Sequence, residues 1–159
     1  AALHLTLNWD AVAPVVGGSA AFRAFIRGEL MPVVKARYRT TDETAIVGES
    51  LAGLFVLETY FLEPALFDTY IAIDPSVWWN HEALVNHAPE RLAASAGRTL
   101  WVTSSSQGDT TALRRLAELY ASRAPGARFW YDPMPEELHS TIYHPAALRA
   151  FRLLFRPAP

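Results

Sequence analysis

The run Ile46-Val47-Gly48-Glu49-Ser50-Leu51-Ala52-Gly53-Leu54-Phe55 constrains the fold of this chain more than any other. An apolar, β-prone pair meets a serine flanked by small residues, and a long apolar segment follows at once. That order is strand, sharp turn, helix, with Thr44–Val47 reading as the strand and Leu51–Leu62 as the helix. In a nucleophile elbow such a turn lifts the serine Oγ above the sheet, beside a helix N-terminus. Small neighbours are needed because the serine backbone is strained and strand and helix approach closely. The pattern here is G-x-S-x-A-G, with Ala52 where G-x-S-x-G has its second glycine. The alternative is an ordinary βα turn in which Ser50 caps the helix.

Strands and helices alternate around this stretch. Leu3, Leu5, Leu7 and Trp9 alternate with His4, Thr6 and Asn8, a strand signal, and Asp10–Gly18 reads as a loop. Ser19 can cap a helix reaching to Arg37, with Phe22, Phe25, Ile26, Leu30 and Val33 or Val34 on one face and a kink or break at Pro32. Thr40–Glu43 is a polar turn. After the elbow helix come a buried strand, Tyr70–Ile73, and a helix over Glu82–Ala96 with a break at Pro89 and a stop at Gly97. A third strand, Thr99–Thr103, leads through the turn Ser104–Asp109 to a helix over Thr110–Arg123. A fourth strand, Ala127–Tyr131, is followed by the loop Asp132–Thr141 and a terminal amphipathic helix, Pro145–Phe155. This alternation predicts βαβ units and a mostly parallel sheet covered on both faces.

Length and composition set the outer bounds. The 159 residues suit a single domain over residues 1–159 with a sizeable core. Hydrophobic residues make up 51% and the net charge is −2, which argues against disorder and against a nucleic-acid-binding surface. Without cysteine there is no disulfide or thiolate metal site, and the compartment is left open. No apolar run reaches the length of a membrane span. The chain begins with Ala1 rather than Met, as a processed or partial chain would.

In open parallel sheets, function gathers at the carboxyl ends of strands. Those ends carry Ser50, Asp74, the turn Ser104–Asp109 and the loop bearing His139. Serine chemistry needs a histidine to take the hydroxyl proton and a carboxylate to hold the imidazole. His139 is the favoured base, being in a loop after the last strand, whereas His144 reads as a helix-entry residue. His4, His81 and His87 fall where no serine chemistry is expected. No histidines share a metal-ligand spacing, so a metal is not implied. For the acid, Asp109 follows the third strand, 30 residues before His139, and is favoured over Asp74, which ends the second. Each has a plain alternative: Asp109 as a helix N-cap, Asp74 as a turn former before Pro75. A Ser–His dyad also stays open.

Three stretches carry a resemblance. Glu29–Thr40, Gly48–Phe55 and Asp74-Pro-Ser-Val-Trp-Trp-Asn80, with His139-Ser140 before a C-terminal helix, resemble the putative-esterase family of α/β-hydrolases. That family includes enterochelin and salmochelin esterases and is similar to feruloyl esterases and esterase D. The resemblance runs from about Leu5 onward. It implies a three-layer α/β/α fold, Ser50 as nucleophile and His139 as base. It also implies hydrolysis of a small-molecule ester through an acyl-enzyme, without a cofactor. The acid stays open between Asp109 and Asp74, because members differ there.

The same resemblance implies further strands at the N-terminal side and a second oxyanion donor among them. With four strands and Leu3–Leu7, the chain looks like the C-terminal part of such a hydrolase, or a shortened one. The N–H of Leu51 is the available oxyanion donor. Glu49, Trp78 and Trp79 are candidates to line a substrate pocket, although both tryptophans could equally be core at a turn. The elbow strand would then be a sheet edge open to self-association. A non-catalytic binding domain that keeps the elbow is the rival reading.

Overall fold

In a computed structural model, the protein is described over residues 17–155. Leu3–Leu7, His4 and most of the loop Asp10–Gly18 lie outside the described residues. Contacts divide the chain into two compact units, residues 1–40 and 41–159.

In the first unit, helix α1 (Ser19–Phe25) runs through a π-helical stretch, Ile26–Leu30, into α2 (Met31–Arg37). The sequence predicts a kink or break at Pro32; the helix instead widens ahead of it. Met31 N–H donates five residues back, to Ile26 C=O, the bonding pattern of a π-helix. Pro32 then falls at the start of α2, where its missing N–H costs little.

The second unit alternates β1 (Ala45–Glu49), α3 (Leu51–Leu62), β2 (Thr69–Ile73), α4 (Trp79–Asn86), β3 (Thr99–Thr103), α5 (Thr110–Arg123), β4 (Arg128–Tyr131) and α6 (Tyr143–Leu154). The strands are all parallel, in the order β1-β2-β3-β4. Every residue of β2 and β3 is buried, which is why these strands read as near-continuous apolar runs. Successive strand side chains point to opposite faces, so two separate cores form. On one face Ile71, Ile73 and Trp101 join Met134, Ile142, Ala146, Ala147 and Ala150 under α6. On the other, Tyr70 packs edge-on against Tyr60 of α3, and Phe129 stacks on Tyr120 of α5 at 4.1 Å. Tyr120 donates to the Tyr60 hydroxyl at 3.0 Å. Burial pushes the Tyr120 phenol well up and that of Tyr70 up to about 12. The result is the three-layer α/β/α arrangement that the alternation predicts.

One element departs from expectation. The helix predicted over Glu82–Ala96 is Trp79–Asn86 followed by a 3₁₀ turn, Ala88–Glu90. Pro89 lacks the N–H that would continue the ladder. Asn80, His81 and Glu82 also hold left-handed backbone, with φ of 51°, 54° and 58°, inside the first of these elements. Arg115 of α5 braces that turn, donating to Glu82 Oε2 at 2.6 Å and Asn86 Oδ1 at 3.0 Å. Among the described residues, no helix is long and apolar enough to cross a membrane.

The sheet is tied at its amino end by one carboxylate. Asp68 accepts from Thr44 N–H at 2.9 Å, Thr44 Oγ1 at 3.1 Å and Arg98 at 2.5 Å, which links the starts of β1, β2 and β3. The Thr44 backbone bond is the main cause that lowers its pKa, with help from the Thr44 hydroxyl and the Arg98 charge. At the opposite, carboxyl end, the chemistry-bearing residues assemble.

Candidate active site

Ser50 joins β1 to α3 at φ 59° and ψ −121°, a strained turn for a residue with a Cβ. Its N–H donates to Ile73 C=O of β2 at 3.0 Å, and its C=O accepts from Leu54 N–H at 2.9 Å and Ser76 N–H at 3.0 Å. The backbone is thus clamped from both sides. The glycine requirement falls at Gly48 and Gly53. A Cβ on Gly48 would meet Ala52 C=O at 2.5 Å, and one on Gly53 would meet Ile73 C=O at 3.0 Å. Ala52 can therefore stand at the usual second glycine position, because Gly53 makes the close approach to the sheet. Ser50 occupies the N-cap position but makes no side-chain capping bond. Its Oγ instead lies 3.2 Å from His139 Nε2 and 3.4 Å from Ser76 Oγ.

His139 sits on the loop after β4, as the sequence predicts. Two loops cross to hold it there. Ser106 donates through both N–H (3.0 Å) and Oγ (2.9 Å) to Glu137 C=O, and His139 N–H donates to Gln107 Oε1 at 3.0 Å. The ring Nδ1 lies 2.6 Å from Asp74 Oδ2. The imidazole is half exposed (47%), whereas the Asp74 carboxylate behind it is buried (1%). A buried carboxylate needs hydrogen-bond partners. Ser105 supplies them, with its N–H on Oδ1 at 3.0 Å and its Oγ on Oδ2 at 2.6 Å.

The favoured pairing of His139 with Asp109 is corrected by this geometry. Asp109 Oδ1 accepts from Ala112 N–H at 3.0 Å and caps α5, so its carboxylate is turned back into the helix. Asp74 ends β2, the immediate neighbour of the elbow strand, and so stands closer in the sheet to Ser50. His87 pairs with Glu90 at 3.6 Å, and His144 lies on α6 with its ring edge-on to Tyr143. Among the described residues, no three His, Asp or Glu side chains converge as a metal site would require.

Of the remaining expected residues, Glu49 and Leu51 flank the serine in the chain, and Trp78 and Trp79 follow β2. Leu51 opens α3, so its N–H is among those without an intrahelical acceptor. Glu49 ends β1 and is half-buried. Trp78 is half exposed (48%) and its ring lies 5.9 Å from that of the half-buried Trp79. Sequence reasoning missed Ser105, Gln107 and Gly108. A Cβ on Gly108 would fall on Asp74 Oδ1. The one signal that could have found them is a small-residue run directly after a buried strand.

A parallel sheet between helix layers, with a strained serine turn after β1, is the α/β-hydrolase type of fold. Residues 6–142 match the family described as Esterase (Putative esterase), and the chain belongs to that family. Among curated relatives, it is 40% identical over 81 residues to the siderophore triacetylfusarinine C esterase of Aspergillus fumigatus, covering 49% of this chain and 28% of that protein. It is 29% identical over 158 residues to the ferri-bacillibactin esterase BesA of Bacillus subtilis, covering 91% and 54% respectively. Among solved structures, siderophore hydrolase EstB from Aspergillus nidulans matches with a TM-score of 0.73 at 23% identity, over 90% of this chain and 60% of that one. An IroE-like serine hydrolase from Shewanella oneidensis matches with a TM-score of 0.79 at 25% identity, over 88% and 48%. The chain thus spans about half, or less, of the length of the curated relatives it matches.

Proposed function

We propose that the chain carries the reacting groups of a serine carboxylic-ester hydrolase, with Ser50 as nucleophile, His139 as base and Asp74 as acid. The observation that carries this reading is the continuous line from Ser50 Oγ through His139 Nε2 (3.2 Å) and Nδ1 to Asp74 Oδ2 (2.6 Å). Ser50 Oγ gives its proton to Nε2 as it attacks the ester carbonyl, and Asp74 stabilises the resulting imidazolium. The oxyanion is met by Leu51 N–H at the start of α3. The imidazolium then protonates the departing alcohol, which leaves an acyl-enzyme on Ser50. Water, deprotonated by His139, releases the acid.

The substrate proposed is a small-molecule ester of the siderophore class, on the strength of the relatives' names. Glu49, Trp78 and Trp79 are the proposed lining. The edge strand β1 has a neighbour on one side only in the described sheet, so self-association through it is part of the proposal. Light scattering tests it: a strictly monomeric chain at high concentration contradicts that part.

Hydrolysis of p-nitrophenyl acetate tests the chemistry. Ser50→Ala and His139→Ala should each lower kcat by about 10⁴-fold or more, because such groups act as one unit. His144→Ala should change it little. A His144 variant as inactive as the His139 one would overturn the assignment of the base.

A further inference from the structure

We propose that Ser105 is a positioning residue that sets the basicity of His139 through Asp74. This rests on the triad reading above and concerns a residue that reading does not use.

Two donors share one oxygen. Asp74 Oδ2 receives the Ser105 hydroxyl at 2.6 Å and faces His139 Nδ1 at the same distance. The direction of the hydroxyl proton follows from its other partner. Gln107 N–H donates to Ser105 Oγ at 3.1 Å and occupies a lone pair, so the single hydroxyl proton is left for the carboxylate. Ser105 is 1% exposed, so water cannot substitute for that bond. The Ser105 N–H holds Oδ1 separately, at 3.0 Å. Removing the hydroxyl therefore leaves the carboxylate in place but changes the charge on Oδ2. The absence of a side chain at Gly108 is what lets this loop lie against Oδ1.

A hydrogen bond to a carboxylate oxygen disperses its negative charge. Less charge on Oδ2 means weaker stabilisation of the imidazolium that forms when His139 takes a proton. The other ionisable groups around the pair have separate engagements or positions. Asp109 caps α5, Asp132 pairs with Arg149 of α6, Glu137 accepts from Thr141, and Tyr131 bonds Ser104. Glu49 lies at the end of β1 and His144 on α6. Among the described residues, Ser105 and His139 are the polar partners of the Asp74 carboxylate.

The test is an NMR titration of the histidine ring protons in the full 159-residue chain, which needs no turnover. In Ser105→Ala, the His139 midpoint should rise by about half a unit or more, while that of His144 stays put. In Asp74→Asn, it should fall, because the negative charge is gone. An unmoved or lowered His139 midpoint in Ser105→Ala, beside a lowered one in Asp74→Asn, would overturn the role of Ser105 and leave the triad standing. An unmoved midpoint in Asp74→Asn would overturn the triad reading itself.

Discussion

At Gly108 a missing methyl group decides how the Asp74 carboxylate is held. The loop after β3 presses on Asp74 closely enough that a Cβ would coincide with Oδ1, and in return Ser105 places two donors on the carboxylate. Gly108→Ala must therefore displace either Asp74 or the loop. It should cost about 1–3 kcal/mol of stability, the usual scale for overpacking. It should also lower kcat/KM, because the Asp74–His139 distance changes. Urea unfolding and ester hydrolysis check the two effects; wild-type values in both would mean the contact is slack. At Ser50 the constraint is conformational. Gly48 and Gly53 permit the close approach that holds its φ at 59°.

Elements differ in how much of their role is visible in the residues. The elbow was legible because an apolar pair, a serine between small residues and an apolar run occur in immediate succession. β2 and β3 were legible as buried apolar runs. Boundaries moved by a residue or two where backbone pairing extends past the apolar stretch, as at Glu49, which pairs with Ile73. The left-handed turn at Asn80–Glu82 was not legible, since Asn80 and His81 are weak signals for such backbone and Glu82 carries none. The partner of His139 was not legible either. An aspartate after a strand and before a helix reads as catalytic and as capping alike, and only the fold shows Asp109 turned into its helix. The role of Asp68 was not legible because its partners lie 24 and 30 residues away. Its lowered pKa gives a signed prediction. The stability it supplies is fully present above its unfolded value, about 3.9, and is lost as pH falls through the lower folded value. Asp68→Asn should flatten that part of the stability curve and cost no more than about 1 kcal/mol at neutral pH, because the side chain is partly exposed. Unfolding midpoints between pH 2 and 7 check this; an unchanged acid slope contradicts it.

At the scale of the whole molecule, the sheet separates support from chemistry. Asp68 fastens the amino ends of three strands, and the carboxyl ends of β1, β2 and β4 deliver Ser50, Asp74 and His139 to one place. The parallel arrangement makes this convergence possible, because every strand ends on the same side. The loop after β3 contributes the donors that hold the Asp74 carboxylate. The proposed mechanism turns on Asp74, rather than Asp109, as the carboxylate behind His139. The direct measurement is kcat/KM for p-nitrophenyl acetate in Asp74→Asn and Asp109→Asn, prepared side by side. Asp74→Asn should fall by about 10⁴-fold, the scale seen when a triad acid becomes an amide. Asp109→Asn should stay within a few-fold of wild type, since asparagine caps a helix about as well as aspartate. A steep loss in Asp109→Asn with a mild one in Asp74→Asn would move the acid to Asp109.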